Sequence, residues 1–410
     1  MRVPEALRER PFRLLFFAQA TSLLGDGMVS VALAFAVLDL TGSASDLGIV
    51  LAARATPLVL FLLVGGVWAD RLPRGKLMIV ADLVRLVTHG AMAALVIAGE
   101  ASVAWLAVLA AIGATASAFF TPAISGIMPH VVSDARLQQA NALRGTAEAT
   151  GRIAGPILAG VIVAAAGAGW ALAVDAATFG ISALFLSRLT VPGMVPAPAQ
   201  TFFADLREGW DDFRSRKWLW TTVTAASMGN LFFAAYFVLG PLVADRELGG
   251  AAAWGVIAAG FGVGLLAGTL VVMRIDPQRP VLVATLAVLL YGLPLAALAL
   301  ALPAILIAAV GFVAGAGLMV ANTLWDTAEQ RHVPPEKLSR VNSYSWFGSL
   351  ATQPLGMLLW GPVAVGIGVD TALWLAFAVQ TAIWLSLLAV REVRELPGQR
   401  LELSGAQEHE

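Results

Sequence analysis

Apolar residues run through this chain in twelve stretches of about twenty, each closed by a short polar turn. A helix rising about 1.5 Å per residue needs around 20 residues to cross a hydrocarbon core of about 30 Å. The pattern therefore predicts twelve membrane-crossing helices, near 12–38, 45–68, 77–99, 102–128, 139–166, 169–188, 219–243, 252–273, 280–300, 303–325, 339–364 and 368–390. The expected fold class is an all-α membrane protein of two six-helix bundles.

Basic residues fix the expected orientation. Arg2, Arg8, Arg10 and Arg13 precede the first stretch, and Arg71, Arg74 and Lys76 join the second to the third. Arg207, Arg214, Arg216 and Lys217 lie before the seventh, Arg331, Lys337 and Arg340 before the eleventh, and Arg391 and Arg394 after the twelfth. The other side holds Arg246 alone. Both termini are thus expected in the cytoplasm of a bacterium, with the chain multi-pass in its inner membrane. A span more or fewer would break the alternation.

Composition narrows the function classes. Of 410 residues, 59% are hydrophobic and 13% charged, against about 25% charged in a soluble protein. A net charge of −1 gives no reason to expect a nucleic-acid partner. The absence of cysteine excludes disulfides and thiolate metal sites, and four scattered histidines suggest no metal cluster. No cleavable leader is read at the N-terminus. No G-x-x-x-x-G-K-[ST] stretch is present, so no nucleotide cofactor is expected and a proton gradient is the expected energy source.

The longest polar interruption divides the chain into an N-terminal bundle (1–190), a linker (191–218) and a C-terminal bundle (219–391). A tail (392–410) is expected to be disordered. Within the linker Phe203, Leu206, Trp210 and Phe213 recur at helical spacing, either as an amphipathic helix in the interface or as a linker helix packed on the bundle. The halves echo each other. His130-Val131 then Asn141 and Gly155 in the first match His332-Val333 then Asn342 and Gly356 in the second. Paired six-helix repeats around a midplane site are a known transporter plan.

Charges inside the spans need partners or a task, since each costs at least about 2.5–3.5 kcal/mol at the bilayer centre. Asp26, flanked by Gly25 and Gly27, and Arg54 reach similar depth from opposite faces. They are expected to form either a static pair or a site where proton and substrate compete. Arg152 is expected either to neutralise Glu148 one turn earlier or to face a cavity. Asp82 and Arg85 suggest a structural gate network, His89 a packing or relay histidine, and Asp175 a capping or pairing role. The second half offers Asn230, Tyr236, Asn322, Trp346 and Gln353 as cavity candidates.

Gly66-Val-Trp-Ala-Asp70-Arg71-Leu-Pro-Arg74-Gly-Lys76 resembles the loop 2–3 signature of the major facilitator superfamily, with Pro73 and Gly75 departing from it. The resemblance implies a gating role for Gly66, Asp70, Arg71 and Arg74, with Asp70 latching against the start of the eleventh span. A helix N-terminus favours a carboxylate there. Gly151-x-x-x-Gly155-Pro156-x-x-x-Gly160 resembles the antiporter signature of the same superfamily, and small residues at that spacing also let helices pack closely. The drug- and siderophore-efflux branch is the nearest resemblance. It implies proton-coupled antiport exporting a bulky amphipathic compound by a monomer in the lipid bilayer, and no enzyme activity. An uptake symporter or a lysolipid flippase of the same fold remain alternatives.

Overall fold

A computed structural model describes residues 4–69, 74–189 and 210–398. Twelve helices among them are long and apolar enough to cross a membrane. In the first half these are α1 (Arg10–Thr41), α2 (Ala44–Ala69), α3 (Arg74–Ala98), α4 (Val103–Val131), α5 (Leu137–Ala166) and α6 (Ala168–Ser187). In the second they are α7 (Lys217–Val243), α8 (Ala251–Val272), α9 (Pro280–Ala299), α10 (Ala304–His332), α11 (Pro335–Leu350 continued by Gln353–Ile367) and α12 (Val369–Ser386). No strand occurs among the described residues.

The expected stretches are all present, and the differences at their ends have local causes. α10 continues through 326–332 beyond its apolar run, because those polar residues favour helix and no glycine or proline interrupts them before Pro334. α9 tightens to a 3-10 turn over Leu289–Gly292, just ahead of Pro294. α11 is interrupted just ahead of Pro354, as expected where a proline ring displaces an i−4 carbonyl. α1 stops at Gly42, whose φ of 63° is left-handed.

The repeat read in the sequence is a repeat of packing. α1 lies on α5 and α6, α2 on α4, and α3 on α4 and α6. Correspondingly, α7 lies on α11 and α12, α8 on α10, and α9 on α10 and α12. The halves meet mainly where α5 crosses α8 and where α2 crosses α11. A Cβ on Gly255 of α8 would strike the carbonyl of Pro156, and one on Gly361 of α11 would strike the backbone of Ser45. Large apolar side chains such as Val161, Leu184, Leu266 and Leu355 point outward, where lipid would lie.

One face carries both ends of the helical core; we call it the terminal face. Toward the opposite face α1 is buried from Met28 to Leu38 except at Ser30, and α7 from Phe233 to Val243 except at the half-buried Phe237. The terminal halves of both helices are partly exposed, as at Phe17 and Trp220. Contacts of Gly48 with Met357 and a hydrogen bond from Arg246 to the Gly42 carbonyl (3.4 Å) join the halves at the opposite face. The structure is therefore open toward the terminal face and shut at the other.

Two expectations about the connecting segments change. The residues at 210–215 are helical, with Phe213 buried and its ring against Tyr344 of α11, while Lys337 pairs with Asp212 at 2.9 Å. The described end of the linker is thus packed on the C-terminal bundle; the rest of it lies outside the described residues. The expected disorder from residue 392 does not hold through 398. Arg391–Glu395 forms a helical turn with Val393 fully buried, Glu392 accepts from the Trp218 amide (2.9 Å), and the Gly398 carbonyl accepts from Arg331. Residues 399–410 lie outside the description.

Candidate substrate and proton site

The polar heart of the N-terminal bundle is built on Arg85. Its position on α3 turns the guanidinium into the bundle, where it is 2% exposed. It makes an ion pair with Asp26 of α1 and a second with Asp82 at 3.3 Å. The Phe179 ring lies 3.7 Å from its guanidinium carbon and the Phe120 ring 5.6 Å, so aromatic faces cover the flat cation where carboxylates do not. One turn along α3, His89 Nδ1 lies 2.5 Å from the Asp175 carboxylate of α6. Gly113 makes room for that imidazole, since a Cβ there would lie 2.9 Å from Nε2.

The expected pairing of Asp26 with Arg54 is therefore corrected. Arg54 makes no ion pair or hydrogen bond among the described residues, although it lies within the electrostatic field of Asp26, Asp175 and Arg85. Asp82 and Arg85 belong to the same network as Asp26.

The neighbours of Asp26 explain its setting. A Cβ on Gly25 would collide with Thr178 and Asp175 of α6, and one on Gly27 with the Gly151 carbonyl of α5. Close backbone approach on both sides fixes the height and rotation of α1, and so of its carboxylate. The side chain of Asp26 stays 37% exposed, whereas Asp82 and Asp175 are fully buried.

α5 presents two packing edges. Gly151 and Gly155 meet Leu23, Leu24 and Gly27 of α1, while Pro156 and Gly160 meet Gly255 and Ala251 of α8. Ile157, Leu158 and Val161 take the outward face. At 100° per residue Arg152 projects opposite to Val161, into the open space between α1 and α8. It is exposed and unpaired among the described residues. Its expected pairing with Glu148 is also corrected: Glu148 pairs with Arg144 at 3.2 Å, nearer the terminal face.

The C-terminal bundle holds a cavity of about 270 Å³ between α7, α9, α10, α11 and α12. Asn230, Asn322, Trp346 and Gln353 line it, as expected. Tyr236 does not: it is buried in an aromatic cluster with Phe233 and Trp254, on the other side of α7. Sequence reading missed Asp326, Trp325 and Trp384 as lining residues. Asp326 lies one residue past the span expected to end at 325, which the helix outruns. Beneath the cavity, Glu329 is fully buried and accepts from Ser345 (2.6 Å) and Asn342 (3.4 Å). Asp70 and Arg71 lie outside the described residues, Gly66 sits in the last turns of α2, and Arg74 begins α3.

Twelve membrane-length helices in two packed repeats, with a polar centre reached from one face only, define a polytopic membrane transporter. The chain belongs to the Major Facilitator Superfamily, whose model matches residues 15–357, and it is not an enzyme. It is 29% identical over 384 residues to the multidrug efflux pump Tap of Mycolicibacterium fortuitum, covering 87% of this chain and 90% of that protein. It is 23% identical to macrolide efflux protein A of Streptococcus pyogenes, covering 94% and 97%. Among solved structures, a mutant form of the nucleoside transporter NupG superposes with a TM-score of 0.76 at 14% identity, over 92% of this chain and 99% of that one. At that identity the likeness speaks for the fold.

Proposed function

We propose that this protein is a proton-coupled antiporter of a bacterial cytoplasmic membrane that exports a bulky amphipathic compound by alternating access. The basic residues gathered on the terminal face support a cytoplasmic position for both termini, which makes the described state inward-open. The efflux proteins among its relatives support export and an amphipathic substrate class. The bundles 1–190 and 219–391 act as the rocking units, as a monomer and without a cofactor. Asp70 would hold the other state by docking at the start of α11.

The observation that carries the reading is the setting of Asp26, paired to a buried arginine yet itself 37% exposed. The surrounding set holds three carboxylates (Asp26, Asp82, Asp175) against two guanidiniums (Arg54, Arg85). Neutrality therefore requires one proton, on His89 or on a carboxylate. A proton taken by Asp26 releases its hold on Arg85, which keeps Asp82. That exchange alters how α1 is tied to α3 and gives proton and substrate a common switch. Purified protein in proteoliposomes, with an imposed pH gradient and internal pyranine, tests the reading. Ethidium movement should be opposed to proton movement and lost in Asp26→Asn. Movement of both in one direction would instead assign a symporter, and gradient-independent lipid transfer a flippase.

A further inference from the structure

The cavity of the C-terminal bundle carries a set of polar groups that the protein itself does not use. Asp326 of α10 lines it without a hydrogen bond or ion pair among the described residues. The side chains of Asn322 and Gln353 line it and make no hydrogen bond there either. Trp384 of α12 is 8% exposed and lines the same space, with its indole N–H sealed against Gly229 and without a partner. Trp325 and Trp346 supply broad aromatic faces. Asp326, Asn322 and Gln353 are half-buried, and polar groups without protein partners that converge on one largely apolar space describe what is to fill it.

Other described carboxylates near the open space already have partners, Glu329 beneath the cavity among them through Ser345 and Asn342. Asp26 is held by Arg85 and Glu148 by Arg144. Asp326 has none, and it stands beside tryptophans, whose faces attract cations. We propose that this cavity is a cation-reading subsite, in which Asp326 takes the positive charge of an amphipathic substrate while Trp325 and Trp346 hold its rings. Asn322 and Gln353 meet its oxygens. Substrate charge is then read in the C-terminal bundle, apart from the proton network around Asp26. This rests on the reading of the chain as an exporter of amphipathic compounds and names the electrical class of the compound.

Equilibrium dialysis of the purified full chain tests the assignment with two probes of similar shape, cationic tetraphenylphosphonium and neutral triphenylphosphine oxide. Asp326→Asn should weaken the cation about tenfold or more while leaving the neutral probe within about twofold, and Asp326→Glu should retain the preference for the cation. Neutral binding serves as the control for folding, with a monodisperse elution profile alongside. Equal binding of the cation by wild type and Asp326→Asn would overturn the proposal, as would equal weakening of both probes in a monodisperse variant. Failure of the wild type to move tetraphenylphosphonium against a proton gradient would count against the exporter reading and leave the binding result standing.

Discussion

Removing Arg85 should harm the fold more than removing any carboxylate it holds. Arg85→Gln strips the counter-charge from Asp26 and Asp82 together and loses the contact with Phe179 at 3.7 Å. Breaking a buried pair from one side costs about 3–5 kcal/mol, and a desolvated cation–aromatic contact about 2 kcal/mol more. Asp26→Asn is a milder change for two reasons visible in the geometry. Arg85 keeps Asp82, and Asp26 is 37% exposed, so water already screens the pair. Its expected cost is about 1–2 kcal/mol. The double variant should therefore cost less than the two single losses added together, since it leaves one unpaired carboxylate where Arg85→Gln leaves two. Arg54→Gln combined with Asp26→Asn should depart less from additivity than the Asp26/Arg85 pair, because Arg54 lies in the field of Asp26 but forms no ion pair with it. Thermal melting in detergent at one pH, without ligand, of wild type, the three singles and the two doubles gives the comparison. If Asp26→Asn lowers the melting point as much as Arg85→Gln, or if the Asp26/Arg85 pair is additive, the network is not built on Arg85.

Three further changes are expected. Gly155→Leu should separate α1 from α5, since even a Cβ would lie 2.6 Å from the Gly27 Cα; loss of monodisperse protein on size exclusion is the expected result, and wild-type behaviour would mean the seam yields. Asp70→Asn should shift populations without changing substrate choice, at about 0.3–1 kcal/mol for a carboxylate at a helix N-terminus; spin-label distances from loop 2–3 to α11 report it, and unchanged distances with altered selectivity would refute the latch. Glu9 is held below its ordinary value of 4.5, chiefly by the Ser133 hydroxyl, with the Ser133 amide and Arg136 adding to it against a desolvation cost. Its contribution is full above that ordinary value and fades as pH falls through the lower folded one, so the melting advantage of wild type over Glu9→Gln should be present at pH 7 and shrink on acidification below about pH 4.5.

The spans were legible because each is an unbroken apolar run of membrane length, and the repeat because His-Val and Asn recur at matching offsets in both halves. Azimuth was not legible. Counting residues gives the depth of Asp26, Arg54 and Arg85, but which of two arginines meets the carboxylate depends on helix rotation. Rotation here is set by glycine contacts between chain segments far apart, such as Gly27 with Gly151. The Glu148 pairing failed in a related way. Arg144 and Arg152 are equally one turn away, and sequence spacing cannot choose between them. Tyr236 was misplaced because polarity alone does not say which side of α7 a phenol takes. Asp326 was missed because the limit of an apolar run was read as the limit of a helix.

The shut layer above Asp26 has an electrical consequence. From Met28 to Leu38 the inner helix α1 is buried, Ser30 excepted, over about 16 Å, while Asp26 below it stays 37% exposed. A water-filled vestibule is close to the potential of the compartment it joins, so most of the transmembrane voltage must fall across that thin apolar layer. Asp26 sits at its base and is electrically almost on the terminal side, although it is geometrically near the middle. A charge passing between Asp26 and the opposite compartment would cross nearly the whole field, worth about 2.3 kcal/mol for each 100 mV. Membrane voltage would then act on this carboxylate directly, even with equal pH on both sides.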